Sequence, residues 1–583
     1  MTVATDLLSK PNESQPTDQT QQQPTMAANK GIAPIKKQYL VESASKEKDQ
    51  QVEAPTATAI ETEVSAEFTK EKEKPRGQNK NRRQQNKNKA HQQPTSSKLC
   101  VKISLGQPCS FGDKCTFSHD VASYMASKEP DLGPRCIIFD TYGQCRYGLR
   151  CRFAKAHTDA EHGQIKDEEK VNAQILYAHN DFSRDLMIQL RKKQVKFERS
   201  EEFNRIYGKD DATQTSDSPR AKKTRVSRGS IDFRGKTYLA PLTTVGNLPF
   251  RRICKGFGVD ITCSEMALAS NLLQGQQSEW ALLKRHSSET LFGIQLAGNK
   301  AETLGRAAEL VGRECEMDFI DINMGCPIDM AYNTGGGSAL LAHPSKIQRM
   351  VQMLNSVTDC DVTVKIRTGI NSSDNLAHSL IPRIESWGAS LVTVHGRSRQ
   401  QRYTKYADWQ YISECRQSSV NLPVFGGGDV LSWEDYWDHL ETQKQADGIM
   451  IGRGALIKPW IFREISERKV WDISSTERLD ILRDFASHAM EHWGTDTQGI
   501  DNVRRYMLEW QSFLHRYIPA GLLEVLPQRM NDRPPAFIGR NDLETLMASD
   551  KVSDWIRISE MVLGPAPADF TFVPKHKSNS YST

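Results

Sequence analysis

The chain has 583 residues, with Lys+Arg 77 against Asp+Glu 72 and 38% hydrophobic residues. At about 150 residues per domain this allows several folded units, or one barrel with smaller modules. No segment approaches the roughly 18 uninterrupted apolar residues of a membrane helix, and Asp6, Glu13 and Asp18 precede any arginine, so a membrane span, a secretory signal and a mitochondrial presequence are not expected.

The 12 cysteines then sit in a reducing compartment, cytoplasm or nucleus, where metal binding or catalysis accounts for them better than disulfides. Residues 1–97 are polar, with Tyr39 and Phe68 as the two aromatics, and read as a disordered basic tail. Within it, 70–89 holds nine basic residues (Lys70, Lys72, Lys74, Arg76, Lys80, Arg82, Arg83, Lys87 and Lys89) and two acids. That run reads as a solvated tail, a phosphate-attracting arm or a nuclear localisation signal.

Six of the cysteines fall in the next 60 residues. Cys100, Cys109, Cys115 and His119 are spaced x8, x5 and x3 across 98–122. Cys136, Cys145 and Cys151 repeat the x8 and x5 intervals across 134–160, with His157 five residues further on. Three thiolates and an imidazole form a closed tetrahedral set, which suits structural Zn2+. The pattern resembles CCCH zinc fingers, whose last interval is normally x3, so His157 departs from it. Phe111, Phe117, Phe139, Tyr142, Tyr147 and Phe153 lie between the ligands. Such rings either fill a small module or stack on single-stranded RNA bases.

Residues 161–235 read as a charged helical linker, helical from Val171 to Glu202 and closing on the basic run 219–225. From 236 to 472 the texture changes to short apolar runs alternating with amphipathic ones. Strands are expected at Tyr238–Leu242, Ile261–Met266, Phe292–Leu296, Phe319–Met324, Val362–Arg367, Leu391–Gly396, Leu422–Gly426 and Gly448–Gly452. These are continuous rather than alternating, as parallel strands buried on both faces should be. Helical patterns such as Ala301–Arg313 and Pro344–Val357 separate them. Eight such units are the arithmetic of a (β/α)8 TIM barrel within an α/β chain. Residues 473–565 read as all-helical, with Val503, Met507, Trp510, Leu514 and Tyr517 on one face, and 566–583 as a tail.

Barrel active sites form at the C-terminal strand ends. Those ends present Pro241-Leu242-Thr243, Gln295, Asn323 with Cys326, Lys365 with Arg367, His395 with Arg397, Gly427-Gly428-Asp429, and Gly452-Arg453. Glycine turns after the last two strands suit a phosphate. Alone, Lys365 would serve as an ion-pair partner and His395 as a strand-end cap. Together with Gln295 they offer a cation, an imidazole and an amide to one planar ligand, which suits a flavin mononucleotide (FMN). Cys326 lies in an Asn-x-Gly-Cys-Pro turn, where packing calls for no thiol.

The segments Leu239 to Thr244, Thr262 to Met266, Ile294 to Gly298, Asp321 to Pro327, Val364 to Gly369 and Val394 to Arg397 resemble the tRNA-dihydrouridine synthases. The likeness covers roughly 238–545, and paired CCCH fingers before the barrel resemble the eukaryotic branch acting at position 47 of the tRNA variable loop. It implies an FMN enzyme reduced by NADPH. Hydride would reach C6 of an extruded uracil, and the Cys326 thiol would protonate C5. By the same resemblance Pro241, Leu242, Thr243, Gln295, Lys365 and His395 would hold the flavin. Gly427, Gly428, Asp429, Gly452 and Arg453 would take its phosphate. Asn323, Arg367 and Arg397 would meet the substrate. The implied partner is tRNA, extending to uridines in some mRNAs, with no membrane partner and a monomeric protein.

The family often has Asn-Gly-Asp where this chain has Gly427-Gly428-Asp429, and lysines where it has Asn333-Thr334. Arg504, Arg505, Arg516, Arg529, Arg533 and Arg540 in the helical part, and the loop Arg397 to Tyr403, are expected to contact phosphates. Two other readings stay open on the residues alone. One is a dihydroorotate dehydrogenase-like barrel acting on a free pyrimidine. The other is a CCCH RNA-binding regulator with an inactive barrel.

Overall fold

The computed structural model describes residues 31–41, 98–159, 163–173, 178–208 and 231–575. The basic runs at 70–89 and 219–225 lie outside the described residues.

Eight parallel strands form the centre: β1 (Thr237–Leu239), β2 (Ile261–Cys263), β3 (Leu291–Ala297), β4 (Phe319–Asn323), β5 (Asp361–Arg367), β6 (Leu391–His395), β7 (Val424–Gly427) and β8 (Gly448–Ile451). β1 pairs with both β2 and β8, and β2 with β3, so the sheet closes on itself. This is the expected TIM barrel. β2 stops at Cys263 because the Ser264 hydroxyl turns to accept from the Gln295 amide at 3.0 Å. Two residues beyond it, Ala267–Leu268 rejoin the end of β3. The barrel floor is filled by Phe233, Tyr238, Phe319 and Phe425, with Phe319 meeting Phe233 and Tyr238 edge-on at 5.6 and 6.1 Å. The open end of the barrel is therefore the end where the strands finish.

The segment expected as a linker is part of the barrel's outer layer. In place of one helix from Val171 to Glu202 there is a short helix Glu168–Asn172, then α1 (Arg184–Arg191) and α2 (Glu198–Tyr207). Ser183 caps α1 by accepting from the Leu186 amide at 3.0 Å. Met187, Leu190 and Phe203 join the buried core that holds Leu304 and Ile347. α3 (Leu248–Gly256), α4 (Ala301–Glu314) and α5 (Pro344–Val357) surround the strands.

The helical part centres on α6 (Ser475–Trp493), α7 (Thr497–Leu514) and α8 (Val552–Leu563). Tyr517, expected on the α7 face, lies past its end. Trp510 is fully buried, meets Phe250 of α3 edge-on at 5.2 Å, and donates from Nε1 to the Leu456 carbonyl at 3.0 Å. Barrel and helical part thus share one core.

Two tails are shorter than their composition implies. Residues 31–41 pack on the helical part, where Ala33 and Ile35 are buried with Ile518, Leu522, Leu523 and Phe537. Their backbone bridges Arg533, Leu523 and Phe537. At the other end Phe572 is buried with Leu508 and Trp555, so 566–575 is packed as well. Among the described residues no helix is long and apolar enough to cross a membrane.

Candidate active site and metal centres

Strand register brings the predicted residues together. Gln295 pairs with Asp321, Asn323 with Lys365, Arg367 with His395, and His395 with Gly427. Across the barrel mouth this register supports one continuous polar chain. Thr363 Oγ1 donates to Asp321 Oδ1 at 2.6 Å, and Gln295 Nε2 donates to Asp321 Oδ2 at 2.7 Å. Asn323 Nδ2 donates to Gln295 Oε1 at 2.9 Å, and the Cys326 backbone N–H donates to Asn323 Oδ1 at 3.0 Å. An ionised carboxylate only accepts, so Asp321 sets the direction of every amide after it. Burial pushes the Asp321 carboxyl up, opposed by the Thr363 and Gln295 hydrogen bonds.

The Cys326 turn is held from three sides. Besides Asn323, the Ser338 hydroxyl donates to the Cys326 carbonyl at 3.0 Å, and Arg367 Nε donates to the Gly325 carbonyl at 2.8 Å. The thiol itself is half-buried.

Lys365 Nζ has no hydrogen-bond partner among the described residues, and burial followed by repulsion from Arg367 lowers its ammonium to about 8. His395 is held neutral, its imidazolium disfavoured by burial and by Arg367 and Lys365, and its Nδ1 is buried without a partner. Arg397 Nη1 is likewise buried and unpartnered. Beside them a Cβ on Gly428, at φ +134°, would lie 2.5 Å from the Ala407 side chain, so only glycine fits that turn. Pro241 and Leu242 are half-buried and Thr243 is exposed at the mouth. Gly452 precedes the short helix Arg453–Ile457.

Three of the expected site residues have protein partners. Arg367 is buried, and besides the Gly325 carbonyl it donates from Nη1 to the Ser398 carbonyl at 2.9 Å, so it holds two loops of the mouth. Arg397 is fully buried and donates to Asp429 Oδ2 at 2.6 Å and to the Lys405 carbonyl, which removes it from a substrate surface. The Asp429 carboxylate also accepts from Arg453 Nη2 at 2.6 Å and from the Ala407 amide, so it orders two arginines instead of meeting a phosphate. Tyr403, singled out only as part of a basic loop, lies under Arg453 at 4.3 Å and is half exposed.

Next to Tyr403 and Arg453 a cleft of about 1160 Å³ opens between barrel and helical part, where Arg516, Arg533, Lys551 and Arg557 outnumber Asp542, Asp550 and Asp554. Arg504 and Arg540 are not available there. Arg504 is buried against the Ser559 hydroxyl at 2.7 Å, and Arg540 is paired with Asp472 and Glu544.

The two Cys3His sets each converge, with ligand atoms within 4.8 Å of one another. In the second set Cys136, Cys151 and His157 are fully buried, and neither ring nitrogen of His157 has a partner. The five-residue interval is therefore no obstacle. The short 3-10 turn Ala154–Ala156 takes up the extra length.

A family described as dihydrouridine synthase matches residues 238–508, and a DUS3L CCCH zinc finger domain matches 96–127 and 128–160. A human tRNA-dihydrouridine(47) synthase [NAD(P)(+)]-like protein is 50% identical over 85% of this chain and 83% of its own length. The chain belongs to the dihydrouridine synthase family. A rice relative with the same description is 42% identical, over 84% of this chain and 86% of its own. The tRNA-dihydrouridine(47) synthase [NAD(P)(+)] of Coprinopsis cinerea is 42% identical, over 83% and 87%. As a dihydrouridine synthase this chain is an oxidoreductase, and the inactive-barrel reading has no support in a mouth that keeps Cys326, Lys365 and His395 together.

Sequence reasoning passed over Asp321 and Thr363, which direct the amides, and Ser338, which anchors the cysteine turn. For Asp321 the signal was present: Asp321 and Asn323 alternate on β4, so both face inward.

Proposed function

We propose that this dihydrouridine synthase reduces the C5=C6 bond of a tRNA uridine, at position 47, with FMN as cofactor and NADPH as reductant, and that each Cys3His set holds a structural Zn2+. The observation that carries the flavin is the convergence of Gln295, Lys365 and His395 at neighbouring strand ends, with His395 in register with Gly427 of the glycine turn. An isoalloxazine edge would supply the acceptor that the Lys365 ammonium lacks. Lys365 would meet the ring where negative charge gathers, neutral His395 would hydrogen-bond the ribityl side, and Arg453 and the Gly427-Gly428 amides would take the phosphate. Bound there, the flavin would supply the hydride to C6.

The chain's own residues would do the rest. Asn323 and Gln295 fix the Cys326 turn so that the thiol can give its proton to C5, the carbon left carrying the electron pair. A uracil inside stacked RNA is out of reach of this mouth, so the base must be extruded. The cationic cleft beside Tyr403 is where the tRNA backbone would lie, and uridines in mRNA of similar shape would enter the same way.

The test is incubation of the purified protein with NADPH and unmodified tRNA, followed by mass spectrometry of the digested RNA. A gain of two hydrogens at one variable-loop uridine is expected. No gain from a yellow protein that still oxidises NADPH would overturn the RNA assignment and favour a free-pyrimidine substrate.

A further inference from the structure

The two zinc modules, alike in spacing, present opposite surfaces. In the second module the rings face protein. Tyr147 sits so close to the α6–α7 turn that a Cβ on Gly494 would come within 2.3 Å of its hydroxyl. Arg146 donates to the Glu491 carbonyl at 2.6 Å, and the Arg152 amide donates to the Thr495 carbonyl at 2.8 Å. The Thr495 hydroxyl lies 3.2 Å from Cys151 Sγ, placed to donate to the thiolate that a metal would create. Glu491 also meets Arg252 of α3, so this one carboxylate joins module, helical part and barrel. None of Phe139, Tyr142, Tyr147 or Phe153 is exposed.

In the first module the rings face solvent. Phe111 is 71% exposed and Phe117 is 40% exposed. Lys114 stands between them in the chain and is exposed too. The module is not loose, because the Ser104 carbonyl packs against Gly148 of its neighbour so closely that a side chain there would collide. Two exposed rings with a cation between them, on a rigid support, form a stacking platform for unpaired bases.

We infer that the two modules divide the work: the first binds single-stranded RNA through Phe111 and Phe117, and the second is a clamp that fixes the first to the catalytic body and binds no RNA. The inference deepens the proposed RNA function and rests on it for the identity of the natural ligand. A clamp of this kind sets where the platform stands relative to the cleft. The stretch of tRNA that it grips is then unpaired and lies at a fixed distance from the uridine being reduced.

The test uses full-length, zinc-loaded protein and two RNAs, an unstructured 12-nucleotide oligomer and unmodified tRNA, with affinity read by fluorescence anisotropy. Phe111→Ala with Phe117→Ala should weaken binding of both RNAs by at least about fivefold, the loss of one stacked base. Zinc content should stay unchanged, because neither ring ligates the metal, and the melting temperature should fall by less than in Tyr147→Ala. Tyr147→Ala should lower the melting temperature and leave oligomer affinity within twofold of wild type. Wild-type oligomer affinity in the double variant would overturn the inference and make the exposed rings a protein contact. Loss of oligomer affinity in Tyr147→Ala at unchanged stability would overturn it equally. Oligomer binding is measured without turnover, so failure of tRNA reduction would count against the proposed reaction alone.

Discussion

Replacing Asn323 by Asp tests the polar chain at its weakest joint. The substitution keeps shape and keeps an acceptor for the Cys326 amide, 3.0 Å away. It removes the Nδ2 donor to Gln295 Oε1 and sets an acceptor against an acceptor. Rotating the Gln295 amide only moves the conflict to Asp321, which also accepts. The chain recovers if one carboxyl takes up a proton. A buried unmatched acceptor costs about 1–3 kcal/mol. At about 1.4 kcal/mol per pK unit that raises the folded pKa by roughly one to two units above an unfolded value of about 4. A raised folded pKa leaves no penalty below the unfolded value, and the penalty grows as pH rises to the folded value. Asn323→Asp should therefore match wild type near pH 4, fall behind it by about 1–3 kcal/mol by roughly pH 6, and run parallel above. Guanidinium denaturation from pH 4 to 8, with Asn323→Ala as a pH-independent reference, measures this. An Asp variant whose deficit stays constant with pH, like the Ala variant's, would refute the directional chain.

Cys326→Ala should keep bound flavin and RNA affinity while turnover falls by about 10²–10⁴-fold, the usual weight of a positioned proton donor; single-turnover assays yielding wild-type dihydrouridine would remove that role. Lys365 is charged below about 8 and neutral above it. FMN affinity of the flavin-free protein, followed by fluorescence quenching, should hold up to that pH and then weaken by at most about tenfold per unit. Lys365→Arg should stay flat to pH 10, and a flat wild-type profile would contradict the contact. Trp510→Ala should cost about 3–5 kcal/mol by opening a cavity between α3 and α7, and calorimetry showing an unshifted melting temperature would refute the shared core.

The barrel was legible because parallel strands buried on both faces leave unbroken runs such as Val362 to Ile366. The metal sets were legible because thiolate spacing repeats. What the sequence hid were pairings between distant segments. Nothing local tells that Asp429 meets Arg397 and Arg453 rather than a phosphate, since an acid after a glycine turn suits either. Arg504 and Arg540 read as a charged surface, because periodicity does not reveal which helical face another helix will cover. Residues 31–41 were lost to averaging, for Ile32, Ala33, Ile35, Leu40 and Val41 form a compact apolar set inside a long polar composition.

That docked segment changes the topology of what precedes the fingers. Val41 is fixed to the helical part, and Lys98 begins a module that is itself fixed to the helical part. Residues 42–97, whose stretch 70–89 carries nine positive charges, are therefore joined to one body at both ends rather than trailing from it. A polyanion seated on that body meets those charges at a concentration set by the length of chain between the two anchors, and not at the bulk concentration of the protein. Diluting the enzyme would leave that encounter unchanged, and a single cut between the two anchors would leave the charges held from one end only.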